Sequence, residues 1–154
     1  MKKITAFIGC LAACAGAHAF NESDAAKLVQ SYAKTVACAL EETTYQAVKV
    51  TGAPRVDDMG DRYVVFWMGD IGCLGGSATV TPNFSLVETL TVNTPLVSVG
   101  FKGPVTGLVT VTKFSGGNGV ISMEGLEFSG KEQTRIPSKK VKYIFNVDTG
   151  KFVK

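Results

Sequence analysis

The chain has 154 residues, with 16 basic side chains, 13 acidic side chains and a single histidine. A chain of this length is typical of one folded domain. Two of the basic residues, Lys2 and Lys3, stand at the extreme N-terminus, so the rest of the chain is almost neutral, which excludes the strongly basic composition of most nucleic-acid-binding proteins.

Residues 1–19 have the composition of an export signal. Lys2 and Lys3 are followed by an apolar run over 4–15, and Ala-His-Ala at 17–19 has the small-x-small pattern that signal peptidase I cleaves. The run is too short to span a membrane, and no later segment is as long. The sequence therefore predicts a signal peptide over 1–19, a single domain over 20–154, and a periplasmic or secreted product.

A lipoprotein signal is the alternative for the same segment. Leu-Ala-Ala-Cys at 11–14 resembles a lipobox, in which Cys14 would become a lipidated N-terminus. The apolar run before Cys14 is short for a lipoprotein, so cleavage after Ala19 is favoured. Only the lipidated form would be held at a membrane.

Cleavage after Ala19 changes the chemistry available to the chain. It removes two of the four cysteines and the one histidine, so that Cys38 and Cys73 remain. In an oxidising compartment such a pair predicts one disulfide. This bond would close a loop of about 35 residues and add roughly 3–4 kcal/mol of stability in the loop-entropy model.

The region 20–42 is predicted to form an amphipathic helix, with Asn21 or Ser23 placed to cap its N-terminus. Apolar residues recur at helical spacing along one face: Ala25, Leu28, Val29, Tyr32, Val36, Ala39 and Leu40. Cys38 falls on the polar side of this pattern. Either the helix has ended before Cys38, or the disulfide ties the outer flank of the helix to the turn 72–76.

After residue 42 the pattern changes to short β-prone runs separated by turn residues. The runs are 45–51, 63–68, 77–81 continuing into 84–92, 96–101, 105–114, 120–128 and 140–147. Ser-Gly-Gly-Asn-Gly at 115–119 is the clearest hairpin turn. The order indicates an α+β fold, with the N-terminal helix packed on a curved, mostly antiparallel sheet of about six to seven strands.

The stretch 63–84 is predicted to lie at the centre of the fold. It contains the only tryptophan, Trp67, together with Cys73 and a glycine-rich turn. Every residue of 63–68 is aliphatic, aromatic or methionine, so both faces of this strand are apolar. Such a strand is expected to be buried on both sides.

The composition excludes most catalytic and metal chemistry in residues 20–154. Without histidine there is no Ser-His-Asp triad and no His-bearing metal site, and two cysteines are too few for a cysteine-only site. A carboxylate mechanism remains open, with these candidate acids: Asp57, Asp58, Asp61, Asp70, Glu88, Glu124 and Glu127. The sequence predicts a protein that is not an enzyme and has no cofactor or metal.

Charged segments are the candidates for binding a partner. Asp57, Asp58 and Asp61 lie in an acidic loop over 55–62, and Asp70 lies in the turn beside Cys73, where it can also cap its own turn. These four aspartates are the predicted partner-binding residues. A basic stretch near the C-terminus suits either an anionic partner or an edge strand protected by lysines: Lys131, Arg135, Lys139, Lys140 and Lys142.

The segment Trp-Met-Gly-Asp-Ile-Gly-Cys-Leu-Gly-Gly at 67–76, with Thr-Pro-Asn-Phe at 81–84, resembles small exported proteobacterial proteins of the inhibitor and immunity type. The resemblance is one of class and transfers no functional residue. It implies a non-enzymatic periplasmic module that binds another protein, such as a cell-wall-acting enzyme or toxin. The alternative is a carrier with an apolar pocket for a small molecule or lipid between the helix and the sheet.

Overall fold

The structure, a computed structural model, describes residues 19–41, 44–51, 60–73, 80–89, 94–130 and 136–153. The predicted signal peptide, apart from Ala19, lies outside these residues, as do Asp57, Asp58, Lys131 and Arg135. The described residues form one helix and nine strands: α1 (Glu22–Val36), β1 (Ala39–Leu40), β2 (Gln46–Lys49), β3 (Arg62–Asp70), β4 (Thr81–Thr89), β5 (Pro95–Val97), β6 (Thr110–Gly117), β7 (Val120–Glu127), β8 (Lys139–Asn146) and β9 (Lys151–Phe152).

Helix α1 begins with a capping box. The Asn21 side chain accepts hydrogen bonds from the backbone N–H groups of Ser23 and Asp24, at 2.8 and 3.2 Å. In return, the N–H of Asn21 donates to the Asp24 carboxylate at 3.3 Å. Two donors that the helix itself leaves without partners are thereby satisfied, and the start of the helix is fixed.

The helix ends earlier than the apolar periodicity predicted, at Val36 rather than at residue 42. Ala37 has an extended backbone, and the N–H of Cys38 donates to the carbonyl of Asp70 at 2.9 Å. Of the two alternatives for Cys38, the helix has therefore ended before it. The residues 39–40, which the helical pattern had included, form β1 instead.

Strands β1 to β5 form the first sheet, sheet A, in the order β1-β3-β4-β5, with β2 also paired to β3. All of these pairings are antiparallel. β1 and β2 lie along the same edge of β3, with β2 opposite 63–66 and β1 opposite 69–70. On the other edge, β4 pairs with β3 from Arg62 to Gly69. β3 is therefore the central strand of sheet A.

Strands β6 to β9 form the second sheet, sheet B, as an antiparallel meander. The turn between β6 and β7 consists of Asn118, with φ of 48°, and Gly119, with φ of 75°. Two successive left-handed residues are the signature of a tight type I′ hairpin turn. The hairpin predicted at 115–119 is confirmed, with the turn itself at 118–119.

The side chains of β3 enter two different cores. On one face, Tyr63, Val65 and Trp67 pack with residues of α1. On the other face, Val64 packs between the two sheets with residues that include Leu86, Leu108, Ile121, Met123 and Phe145. All residues of 63–67 are at most 2% exposed. The expectation that this strand is buried on both sides is confirmed.

The α+β class and the antiparallel pairing predicted from the sequence are also confirmed. The predicted strand number and single sheet are not, because the described residues form nine strands in two sheets. Three of these strands, β1, β5 and β9, contain only two or three residues, which is too few to produce a readable alternation.

Candidate functional site

The disulfide stands at the end of β3. Cys38 and Cys73 are bonded, with their Cα atoms 5.3 Å apart, as the sequence predicted. Both cysteines are exposed, and Cys73 has φ of 51°, in the left-handed region that side-chain-bearing residues seldom occupy. The bond fastens the chain after α1 to the turn after β3. We call Cys38, 69–73 and 81–84 together the disulfide end.

Aliphatic side chains are exposed around the disulfide end. Ile71 is 51% exposed, and Val99 and Val105, on the chain after β5, are 86% and 90% exposed. Ile71 and Val99 line a recess of about 130 Å³ beside α1, and Val105 lines a cleft of about 510 Å³. Asn83 and Phe84 line both, so the recess and the cleft adjoin. Exposed apolar residues that adjoin a concave surface are typical of a binding site.

The cleft lies between the start of β4 and the chain that leads from sheet A to sheet B, which we call the crossing segment (98–109). Asn83, in the wall of the cleft, uses its amide hydrogens within the protein, donating to the carbonyls of Gly69 and Thr81 at 2.9 and 2.8 Å. The cleft therefore presents mainly apolar side chains. They are Pro82, Phe84 and Val105, together with Pro104 and Leu108, which are themselves buried.

One wall of the cleft depends on the close approach of the crossing segment to β4. A Cβ atom built at Gly103 would lie 2.9 Å from the Cβ of Phe84 and 3.3 Å from its carbonyl oxygen. Any larger residue at 103 would push the crossing segment away from β4. The absence of a side chain at Gly103 therefore sets the width of the cleft.

The crossing segment is held to sheet B by Glu127. This side chain accepts hydrogen bonds from the Tyr143 hydroxyl, from the Lys139 ammonium group at 3.2 Å, and from the backbone of Gly107. The bond from Tyr143, more than any other contact, holds the pKa of Glu127 below its usual range, although burial acts in the opposite direction. Glu127 is thus an ionised anchor for the crossing segment.

The edge of β4 beside the cleft makes few backbone hydrogen bonds in the described chain, although the crossing segment packs against it at Phe84. β5 pairs only with 87–89, and beyond them the Ser98 N–H donates to the Leu86 carbonyl at 2.8 Å. In the described chain, no further backbone hydrogen bond reaches this edge of β4. Backbone groups of every second residue point to the same side of a strand. The N–H and carbonyl of Phe84 and the carbonyl of Pro82 therefore face this edge, as the carbonyl of Leu86 does, and Gly103 lies close to the Phe84 carbonyl.

Asp61, the last aspartate of the acidic loop, lies at the opposite end of β3, directly before its first residue. The Asp61 carboxylate pairs with Lys49 Nζ at 2.7 Å and accepts a hydrogen bond from the Thr51 hydroxyl at 3.2 Å. The hydrogen bond from Lys49 is the main cause that lowers the pKa of Asp61. Burial, with a smaller contribution from Asp61, raises the pKa of Tyr63 to about 12, so its hydroxyl stays protonated and donates to the Phe20 carbonyl at 2.9 Å.

The predicted partner-binding aspartates do not share one site. Asp61 precedes β3, and Asp70 is its last residue. The length of the strand separates them by about 30 Å, at roughly 3.3 Å per residue. Asp70 is only 4% exposed, which disfavours direct contact between its side chain and a partner. Asp57 and Asp58 lie outside the described residues. A binding role for the acidic loop stays a prediction.

Three lysines of the basic stretch lie along a strand edge that the described residues leave mostly unpaired. Lys139, Lys140 and Lys142 lie on β8, which β9 covers only at its last two residues. Lys142 pairs with Glu124 at 3.0 Å, and Lys139 pairs with Glu127 at 3.2 Å. Exposed lysines on such an edge hinder association with another sheet. This placement favours the interpretation of the basic stretch as a protected edge.

The cleft itself was missed by sequence reasoning, which treated 105–114 as one strand. The strand begins at Thr110, and the chain before it crosses between the sheets. A signal was present in the sequence, because Gly100, Gly103-Pro104 and Gly107 interrupt the β-prone pattern. Those residues mark irregular chain, but they do not indicate which strand it passes.

Comparison of the chain with protein-family models, with curated protein sequences and with solved structures finds no match. Within the described residues, no three His, Cys, Asp or Glu side chains are grouped so that they could hold a metal ion. In the same part of the chain, no helix has the length and apolar character to cross a membrane. The disulfide end is the candidate functional site on its geometry alone.

Proposed function

We propose that this chain is a non-enzymatic, exported module that binds another protein, acting as an inhibitor of, or an immunity protein against, a cell-wall-acting enzyme or toxin. The observation that carries the proposal is the group Ile71, Val99 and Val105 around the disulfide end, with exposures of 51% to 90%. Covering such aliphatic surface with a partner is favourable. The disulfide and the β3–β4 pairing supply a rigid base for it.

The packing under α1 supports a protein partner over a ligand carried between helix and sheet. Ala25, Val29 and Ala33 are fully buried against the β3 side chains Tyr63 and Trp67, which are each 1% exposed. The recess beside α1 measures about 130 Å³, well below the ~300–1,000 Å³ of typical ligand pockets. A carrier pocket at the place predicted from the sequence is therefore disfavoured.

A carrier remains a second candidate function at a different place. The cleft between β4 and the crossing segment, at about 510 Å³, falls within the range of small-molecule sites. Its lining by Pro82, Phe84 and Val105 suits an apolar ligand. This possibility and the protein partner predict different contents of the purified protein.

Export is supported by the signal-like N-terminus and by the disulfide, which persists in oxidising compartments. The intact mass of the exported protein tests it, with Phe20 expected as the first residue. A mass that includes lipid on Cys14 would instead assign the chain to a membrane.

A cell-wall-acting partner is supported by the acidic loop, because proteins that act on an anionic polymer are often basic and an acidic surface speeds their encounter.

Affinity capture from a periplasmic extract tests the function. The baits are the wild-type chain, Val105→Glu, and Ile144→Glu as the control, because Ile144 is 37% exposed and lies on the other face of β8 from the buried Phe145. A protein retained by wild type and control but lost with Val105→Glu is the expected result. Native mass spectrometry that finds a bound small molecule, with no protein retained by any bait, would replace the proposal with the carrier.

A further inference from the structure

We propose that the crossing segment is the part of this chain that enters the partner. Its exposed side chains Val99, Lys102 and Val105, which we call the crossing ridge, would occupy the substrate groove of an enzyme that hydrolyses a cell-wall glycan with carboxylate residues. The inference rests on the protein-binding function proposed above. It specifies which residues meet the partner and which chemistry receives them.

The crossing ridge has a regular three-residue spacing. Val99 stands in a turn that the Phe101 N–H closes by donating to the Ser98 carbonyl at 3.2 Å, and exposed side chains then recur at Lys102 and Val105. Between them, Phe101 packs partly buried against the core between the sheets and Pro104 is buried. Side chains that are 86% and 90% exposed, as Val99 and Val105 are, project from the surface. A concave partner is therefore needed to cover them.

The crossing segment is held along its length. The Ser98 N–H donates to β4 at 2.8 Å, Gly103 packs against Phe84, and Glu127 accepts a hydrogen bond from the backbone of Gly107. The same close packing covers the edge of β4 at Phe84, so the crossing ridge, and not that edge, is what a partner meets. Side chains on a fixed backbone lose less conformational freedom on binding than those of a mobile loop.

Lys102 determines the chemistry of the partner. It forms no ion pair in the part of the chain that the structure describes, whereas Lys49, Lys139 and Lys142 are each paired with a carboxylate. Because projecting valines stand on both sides of Lys102, a surface that covers them also removes water from its ammonium group. A desolvated charge is strongly unfavourable without an opposite charge beside it, so the groove must supply a carboxylate.

Enzymes that hydrolyse glycans meet both requirements. Most of them place two Asp or Glu residues at the scissile bond, and the groove that holds several sugar units of a polysaccharide is concave. An ammonium group beside these carboxylates would exclude the substrate. A partner that is basic over most of its surface still has these acids in its groove, so the acidic loop and Lys102 would meet different parts of it.

Inhibition of glycan hydrolysis tests the role of Lys102. The oxidised, exported chain is added to a periplasmic extract of cells from which the chain has been deleted, and new reducing ends formed from purified peptidoglycan are measured. The wild type should slow their formation, and Lys102→Glu should need an about tenfold higher concentration for the same inhibition. Lys102→Arg keeps the charge and should lose less. Lys140→Glu, the same change at an exposed lysine of β8, is the control and should inhibit as the wild type does.

A photocrosslinker identifies what the crossing ridge contacts. The photoreactive amino acid benzoylphenylalanine replaces Val105, whose exposure of 90% means that the core is not disturbed. The crosslinked peptides should come from a glycan hydrolase and should lie beside its catalytic Asp or Glu residues, and Lys102→Glu should reduce their yield. The same replacement of Ile144, outside the crossing segment, should not give these peptides. Crosslinks to a second copy of this chain or to lipid alone would overturn the inference.

The inference and the proposed function fail in different ways. If no hydrolysis is inhibited, or Lys102→Glu inhibits as strongly as the wild type, the crossing ridge does not enter a carboxylate groove. In that case a protein still captured in a Val105-dependent manner would keep the proposed protein-binding function. If there is neither inhibition nor a captured protein, both fail.

Discussion

The two ends of β3 are held by different interactions. At one end, which we call the ion-pair end, Lys49 pairs with Asp61 and Arg62 pairs with Asp148, both at 2.7 Å. At the disulfide end, the Cys38–Cys73 bond holds the end of β3 to the chain after α1, and aliphatic side chains are exposed beside a cleft. These four charges at the ion-pair end are paired within the chain, whereas Ile71, Val99 and Val105 near the disulfide end are exposed. Association with a partner at the disulfide end would therefore release more water from apolar surface than association at the ion-pair end.

The largest expected effect comes from Trp67, near the disulfide end of β3. Its ring stacks on Tyr45 with centroids 6.5 Å apart, and its Nε1–H donates to the Ser85 hydroxyl at 3.0 Å. Trp67→Ala should lower the free energy of unfolding by roughly 3–5 kcal/mol, measured by urea denaturation. Tyr63→Phe, at the ion-pair end of the same face, loses the bond to the Phe20 carbonyl and should cost about 1 kcal/mol. Equal losses would show that the hydroxyl bond to Phe20 contributes as much as the indole of Trp67.

Removal of the disulfide is expected to rank second. Cys38→Ala combined with Cys73→Ala opens a link between residues 35 apart and should lower the free energy of unfolding by roughly 3–4 kcal/mol, with little change in secondary structure. Circular dichroism and urea denaturation measure the two quantities. Thiol labelling of the native wild type is the direct check, since reaction at both cysteines would mean that no bond holds this end.

Local patterns were sufficient to predict several parts of the fold. The helix cap, for which the sequence offered Asn21 or Ser23, the hairpin predicted at 115–119 and the buried strand predicted at 63–68 each depend on neighbouring residues in the sequence. The Cys38–Cys73 pair followed by elimination, because removal of the predicted signal would leave no other cysteine. Each of these features depends on residues close in sequence or, for the disulfide, has one possible pairing, so the sequence alone is enough to predict it.

The division into two sheets and the cleft depend on contacts between distant segments. The cleft needs 81–84 and 103–108 to meet, and no periodicity within either segment indicates that contact. Grouping Asp61 with Asp70 had the same weakness, because residue type and closeness in sequence do not reveal that β3 separates them. The exposure of Val105 could not be predicted either, since a valine in a β-prone run is usually buried.

A smaller effect is expected at the ion-pair end from Asp148→Asn. The Arg62 side chain is 6% exposed, so its charge depends on Asp148, whose side chain is 42% exposed. Loss of that carboxylate should lower the free energy of unfolding by about 1–2 kcal/mol, less than for a fully buried pair because water reaches Asp148. Asp61→Asn, which breaks a pair exposed on both sides, is the matched control and should cost less. A larger loss with Asp61→Asn would reverse the assignment of the stronger pair.

The smallest effect concerns protonation at the ion-pair end. Lys49 lowers the pKa of Asp61, so the folded protein keeps this carboxylate charged to a lower pH than the unfolded chain does, where the pKa is about 3.9. The pair therefore adds stability above about pH 4 and loses it as the pH falls through the lowered pKa. With side-chain exposures of 44% and 40%, the contribution should be well under 1 kcal/mol and should fall with salt.

Urea denaturation of wild type and Asp61→Asn at about pH 7 and about pH 3 measures this contribution. The difference between the two proteins should shrink at the lower pH. A difference that stays constant would show that the charge of Asp61 is not what stabilises this end. The double cysteine variant gives the contrast, because a disulfide does not titrate and its contribution should be the same at both pH values. Acid should thus weaken the ion-pair end while leaving the contribution of the disulfide unchanged.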